Sequence, residues 1–113
     1  MAGIARGEVW YASLDPTRGR EQSGLRPVMV ISDDCFNNGP AGLVITVPLT
    51  TRDRGIASHV SVKPPEAGLK KRSLIMSEQI RCISRTRLVR PLGKVKPKTT
   101  REVEGMIKII LGL

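Results

Sequence analysis

Only three aromatic residues, Trp10, Tyr11 and Phe36, occur in 113 positions. That is too few for a sheet that stacks many bases, so an RNA partner would be held mainly through phosphates and a few specific groups. There is one histidine, His59, and two cysteines, Cys35 and Cys82. No CxxC, HxxxH or carboxylate cluster has metal-ligand spacing, so neither a metal nor a cofactor is expected. The two cysteines are expected as small buried apolar residues. GxGxxG and GxxxxGK[ST] are missing, which removes the standard nucleotide cradles, and no serine lies in GxSxG. No run of ~18 apolar residues exists, and MAGIARGEVW lacks the apolar stretch of a signal peptide. These absences lead us to expect a cytoplasmic protein with no membrane association.

Acidic residues are also scarce, at 10 against 19 Lys and Arg, for a formal charge of +9. The excess lies in one part of the chain. Residues 1–40 carry four basic and five acidic side chains, whereas residues 41–113 carry fifteen and five. Such asymmetry favours a polyanion or an acidic protein as partner. A length of 113 residues suits one domain spanning 1–113 with one modest core.

Apolar alternation and turn residues organise the chain. GEVWYASL (7–14) reads as a strand ending at Asp15-Pro16. The polar stretch TRGREQSGL follows as a loop. PVMVIS then forms a second strand and LVITVPLT a third, with Pro48 implying a bulge or edge position. SHVSVK and SLIMSEQIRCI supply further strands, and SRTRL (84–88) a single helical turn. Short strands at this spacing predict a mainly β domain, a small antiparallel barrel. Val103, Met106, Ile107, Ile110 and Leu111 recur at helical steps behind Thr99-x-x-Glu102, a capping-box pattern. They predict a C-terminal amphipathic helix over 100–111, with Pro97 as the stop signal before it and an apolar stripe that covers one end of the barrel.

The residues left for chemistry are centred on arginine. Arg26 precedes Pro27, which favours an extended backbone and helps to aim the guanidinium. Thr50 and Thr51 end the third strand and run into Arg52-Asp53-Arg54. Ser77, Glu78, Gln79 and Arg81 form a polar cluster on an otherwise apolar strand. Each has an ordinary reading as well: a surface ion pair for Arg26, a strand-end hydroxyl for Thr50, a satisfied structural carboxylate for Glu78.

Taken together, RGEVWYASLDPTRGREQSGLRPVMVIS, VPLTT, SHVSV, LIMSEQIRCISRTRL and the final LGL resemble, in order, the MazF/PemK toxin family. The resemblance covers nearly the whole chain, although Arg20 stands where family members often have a small residue. It implies an SH3-like antiparallel barrel of the MazF and CcdB kind, acting as a homodimer. It also implies metal-independent cleavage of single-stranded RNA at short motifs, by 2′-hydroxyl attack that leaves a 2′,3′-cyclic phosphate and a 5′-hydroxyl. An acidic cognate antitoxin is the implied protein partner.

By the same resemblance Arg26 is the catalytic arginine and Thr50 the catalytic threonine. Glu78 falls where some members carry a catalytic acid, and a carboxylate whose pKa is raised by burial suits a general base. His59 matches a common family histidine without a settled role. Contacts to RNA are expected from Arg18, Arg20, Gln22 and Ser23 in the loop, from Thr51, Arg52 and Arg54 after the third strand, and from Gln79, Arg81, Arg85 and Arg87. Two other readings stay open: a gyrase-poisoning toxin of the same fold, and a non-catalytic basic RNA-binding barrel.

Overall fold

A computed structural model describes residues 3–14 and 24–113. The loop positions Arg18, Arg20, Gln22 and Ser23 lie outside the described residues. Among the described residues there are seven strands: β1 (Glu8–Ser13), β2 (Leu25–Val30), β3 (Leu43–Thr50), β4 (His59–Val62), β5 (Ser73–Met76), β6 (Arg81–Ser84) and β7 (Leu88–Lys94). A one-turn helix α1 (Asp34–Asn37) and a C-terminal helix α2 (Pro97–Leu111) complete the elements used below. All pairings are antiparallel, in the order β4-β5-β3-β2-β1-β7, with β6 also on β3. The expected mainly β architecture with a closing helix is therefore present, but the ladder among the described residues does not close into a barrel.

Alternation along the strands sends side chains to two faces. On the inner face Val9, Met29 and Val47 lie side by side in β1, β2 and β3. Leu49, Ile75 and Val60 continue that layer, joined by Val62, Leu69, Val95 and Val103. On the outer face Ala12, Val28, Val30, Val44 and Ile83 form a second cluster with Ile4 and Leu14. A near-continuous apolar run such as LVITVPLT follows directly from this two-sided burial.

Several local expectations are corrected. Pro48 is neither at an edge nor in a bulge. It sits in central β3 between Thr46, the last residue paired with β6, and Leu49, the first paired with β5. A residue with no N–H is tolerated where the ladder changes partner. SLIMSEQIRCI is two strands, interrupted by a 3-10 turn at Ser77–Gln79. Arg85–Arg87 form the expected turn, of 3-10 type. LVRPLGK is strand β7, an edge strand whose Pro91 and Gly93 hid it from pattern reading. Gly93 is needed there, since a Cβ would come within 2.6 Å of the Ala67 backbone.

The cysteines are not buried: both are free and exposed, Cys35 on the short α1 and Cys82 on β6. Cys82 alternates with buried Ile83 on a strand that has one neighbour, so nothing covers its side.

Helix α2 starts earlier than expected, with Pro97 inside its first turn rather than stopping the chain before it. Its N-cap, Lys96, makes no side-chain cap, and Thr99 does not form the expected box. The distant Glu66 takes over, its Oε2 accepting from Lys96 N at 2.9 Å and Thr99 Oγ1 at 2.6 Å. Val103, Met106 and Ile107 pack on the inner core. Ile110 and Leu111 stay exposed, so the helical stripe outruns the sheet.

Candidate active site

Strand register assembles the site. Val28 of β2 pairs with Pro48 of β3, and two residues beyond that pair, on the same face by strand alternation, lie Arg26 on β2 and Thr50 on β3. Arg26 pairs with Ala12 of β1, and Thr50 with Leu74 of β5, which pairs with Ser61 of β4. Ala12 and Arg26 thus pair on the outer face across β1 and β2, and Thr50, Leu74 and Ser61 on the same face across β3, β5 and β4. Arg26 is exposed and Thr50 half-buried.

The Thr50 hydroxyl has a set polarity. Its Oγ1 accepts from Arg52 N at 3.2 Å, which occupies a lone pair and leaves the hydroxyl proton to be donated outward. A neighbouring guanidinium and hydroxyl donor can bind the non-bridging oxygens of a phosphodiester together.

Thr51, Arg52 and Arg54 follow in an exposed segment. Asp53 shapes that segment by accepting from Gly55 N at 2.9 Å and Arg72 Nη1 at 3.1 Å. The Gly55 amide and then the Arg72 guanidinium hold the Asp53 carboxyl below its ordinary range. Arg72 also donates from Nε to Ser61 Oγ at 3.1 Å. Two residues before Leu74, it shares that residue's strand parity and joins the basic rim beside Thr50. Sequence reasoning missed Arg72; its only signal was the period-two step from Arg72 to Leu74 and Met76.

Glu78 lies in the turn after β5 and accepts from Ser58 Oγ at 2.7 Å, with His59 Nε2 at 2.9 Å from its second oxygen. The His59 side chain is 3% exposed, and its Nδ1 meets no polar partner among the described residues. With a carboxylate as acceptor, Nε2 carries the proton. Burial pushes the Glu78 pKa up, but the bonds from Ser58 and His59, with the His59 charge interaction, more than offset it. The result lies below the ordinary value of 4.5. The raised pKa expected of a general base is absent, because two donors stabilise the anion.

The remaining arginines divide by position. Arg81 pairs with Thr46 of β3, on the same face as Thr50, and Thr46 Oγ1 donates to Arg81 O at 3.3 Å. Gln79 donates to Met76 Sδ at 3.7 Å. Arg85 is drawn into the fold instead, its Nη1 donating to Asn37 O at 2.8 Å and Gly39 O at 3.1 Å. Arg87 Nη1 donates to Ser13 O at 3.0 Å. Arg26, Thr50 and Arg81 thus share one face, whereas Arg85 and Arg87 tie backbone segments together. No three His, Cys, Asp or Glu side chains converge among the described residues.

A family model for PemK-like, MazF-like toxins of type II toxin–antitoxin systems matches residues 5–111. The chain belongs to this family. This toxin-family chain is 37% identical over 111 residues to the endoribonuclease MazF of Staphylococcus saprophyticus, covering 97% of itself and 92% of that relative. The crystal structure of MazF from Deinococcus radiodurans superimposes with a TM-score of 0.89 at 25% identity, over 100% of both chains. A MazE–MazF structure from the same organism gives 0.82 at 26% identity, covering 100% of this toxin-family chain and 99% of that one. Among the described residues, no helix is long and apolar enough to cross a membrane.

Proposed function

We propose that this MazF/PemK-family toxin, a single domain over 1–113, is a sequence-specific endoribonuclease that cuts single-stranded RNA without a metal ion and arrests growth. The observation that supports the reading is that Arg26 and Thr50 share one sheet face, each two residues beyond the paired Val28 and Pro48. The ribose 2′-hydroxyl is tethered beside its phosphorus, so the protein mainly needs to hold sugar and phosphate in line. Arg26 binds the non-bridging oxygens as charge grows on them, and Thr50 donates its outward proton to the same group. The 2′-oxygen bonds to phosphorus as its proton passes to solvent, the bond to the 5′-oxygen breaks, and that oxygen takes a proton from solvent and leaves as a hydroxyl. The products are a 2′,3′-cyclic phosphate and a 5′-hydroxyl.

Glu78 is assigned to holding His59 and Ser58, since its depressed pKa suits an ionised anchor better than a proton acceptor. Arg81, Arg52, Arg54 and Arg72 line the path of neighbouring phosphates. The protein works in the cytoplasm as a homodimer, and an acidic antitoxin competes for the same basic surface. The MazE–MazF assembly of the Deinococcus relative supports a partner of that kind.

The test is incubation of purified protein with single-stranded RNA in excess chelator, with the ends mapped. Cleavage to 5′-hydroxyl products, lost in Arg26→Ala and kept in Lys98→Ala, is the expected result. Intact RNA with inhibited gyrase supercoiling would replace this reading by a gyrase poison. Salt-sensitive RNA binding that never cuts would leave a binding barrel.

A further inference from the structure

Around the end of the sheet from Thr50 lies a depression of about 560 Å³ that the mechanism above does not use. Thr51, the residue directly after Thr50, lines it. Its walls carry three cations, Lys70, Lys71 and Arg90, beside Tyr11 and Ser73. The Arg90 guanidinium lies 4.7 Å from the Tyr11 ring centroid, a stacked pair with flat, π-rich surfaces. No acidic residue lines the depression, and no carboxylate among the described residues pairs with these three cations. The contrast is with a second depression beside α2, where Glu66 and Glu102 lie among four lysines. Clustered cations in a concave wall focus positive potential and draw in phosphates.

We propose that this depression is a nucleotide subsite, taking the phosphate and base of one RNA nucleotide beside the scissile bond. The proposal rests on the RNA-cutting reading of the Arg26–Thr50 face. Lys70 and Lys71 hold the phosphate, and the Tyr11–Arg90 pair stacks on the base, as single-strand sites do with aromatic and guanidinium planes. Continuity favours RNA over an acidic peptide, because a strand held at Thr50 reaches Thr51 by crossing the end of the sheet. The volume also suits a single nucleotide.

The test uses the full-length chain and a 12-nucleotide RNA made uncleavable by 2′-O-methylation, with affinity read by anisotropy across a salt series. Lys70→Ala/Lys71→Ala should weaken binding about tenfold at low salt and flatten the log–log salt slope by about 0.7, one single-strand phosphate contact. Lys98→Ala, on the acidic-lined depression, should change neither. Both lysines are exposed, and a melting curve checks that the double variant folds. A 4-thiouridine version should photocross-link to Tyr11 or the 68–71 segment. In cleavable form, a short RNA spanning only the scissile bond should be cut by the double variant at the wild-type rate, whereas the KM for the 12-mer rises. An unchanged salt slope and affinity would overturn the subsite. So would a double variant that keeps RNA affinity and loses only affinity for an acidic antitoxin peptide. Wild-type protein that binds the probe through these lysines yet cuts no RNA would sink the nuclease reading alone.

Discussion

Thr99 donates its hydroxyl to Glu66 Oε2 at 2.6 Å, across 33 residues of sequence. The same oxygen accepts the Lys96 amide, so a carboxylate from the turn before β5 caps α2 and sits at the positive end of its dipole. Glu66→Ala should lower the unfolding free energy by about 1 kcal/mol, measured by urea denaturation, with RNA cleavage per folded molecule unchanged. Thr99→Val should lose a similar amount, and the double variant less than the two together.

The Arg26–Thr50 pair makes the sharpest prediction for activity. Removing one preorganised donor to a developing oxyanion costs on the order of 3 kcal/mol, so Arg26→Ala or Thr50→Val should each lower kcat/KM by roughly 100-fold or more. Arg26→Lys should remain defective, because a point charge does not reproduce a bidentate fork. Arg26 is exposed and Thr50 only half-buried at the strand ends, so circular dichroism and melting temperature should change little.

Arg85 and Arg52 look alike in sequence and should behave differently. Arg85 spans α1 and the segment after it through Asn37 O and Gly39 O. Arg85→Ala should lower stability by about 1.5–3 kcal/mol, the range for hydrogen bonds to a charged donor, and leave the salt slope of RNA binding intact. Arg52→Ala should leave stability intact and flatten that slope by about 0.7.

The Glu78 carboxylate links stability to acid. Its folded pKa lies below the ordinary 4.5, so its contribution is complete above that value and disappears as pH falls through the folded pKa. Melting temperature measured from pH 7 down to pH 3 should therefore fall in wild type below about pH 4.5. Glu78→Gln should start lower at neutral pH and follow a flatter acid limb. If Glu78 instead accepted the 2′-hydroxyl proton, the same substitution would abolish the acid limb of the kcat profile.

Much of this protein was legible before any coordinates. Alternation and turn residues located β1 to β5, and the 3- and 4-residue spacing located α2, because these patterns record which side of an element meets the core. Arg26 and Thr50 were found through the loop–Arg–Pro passage and VPLT, not through any physical sign that they meet. β7 stayed hidden because a proline, a glycine and two basic residues weaken alternation on an edge strand. Both cysteines were misplaced as buried, since burial depends on which neighbours a strand acquires.

Composition and periodicity thus determined a basic, mainly β chain with a closing helix, since those properties depend on residues close in sequence. Only the tertiary structure decided which arginines hold backbone carbonyls, which way the Glu78 pKa moves, and that Lys70, Lys71, Arg90 and Tyr11 surround one depression. Those outcomes depend on strand order and register, which bring together groups tens of residues apart, and the dielectric and hydrogen-bonding surroundings follow from that assembly.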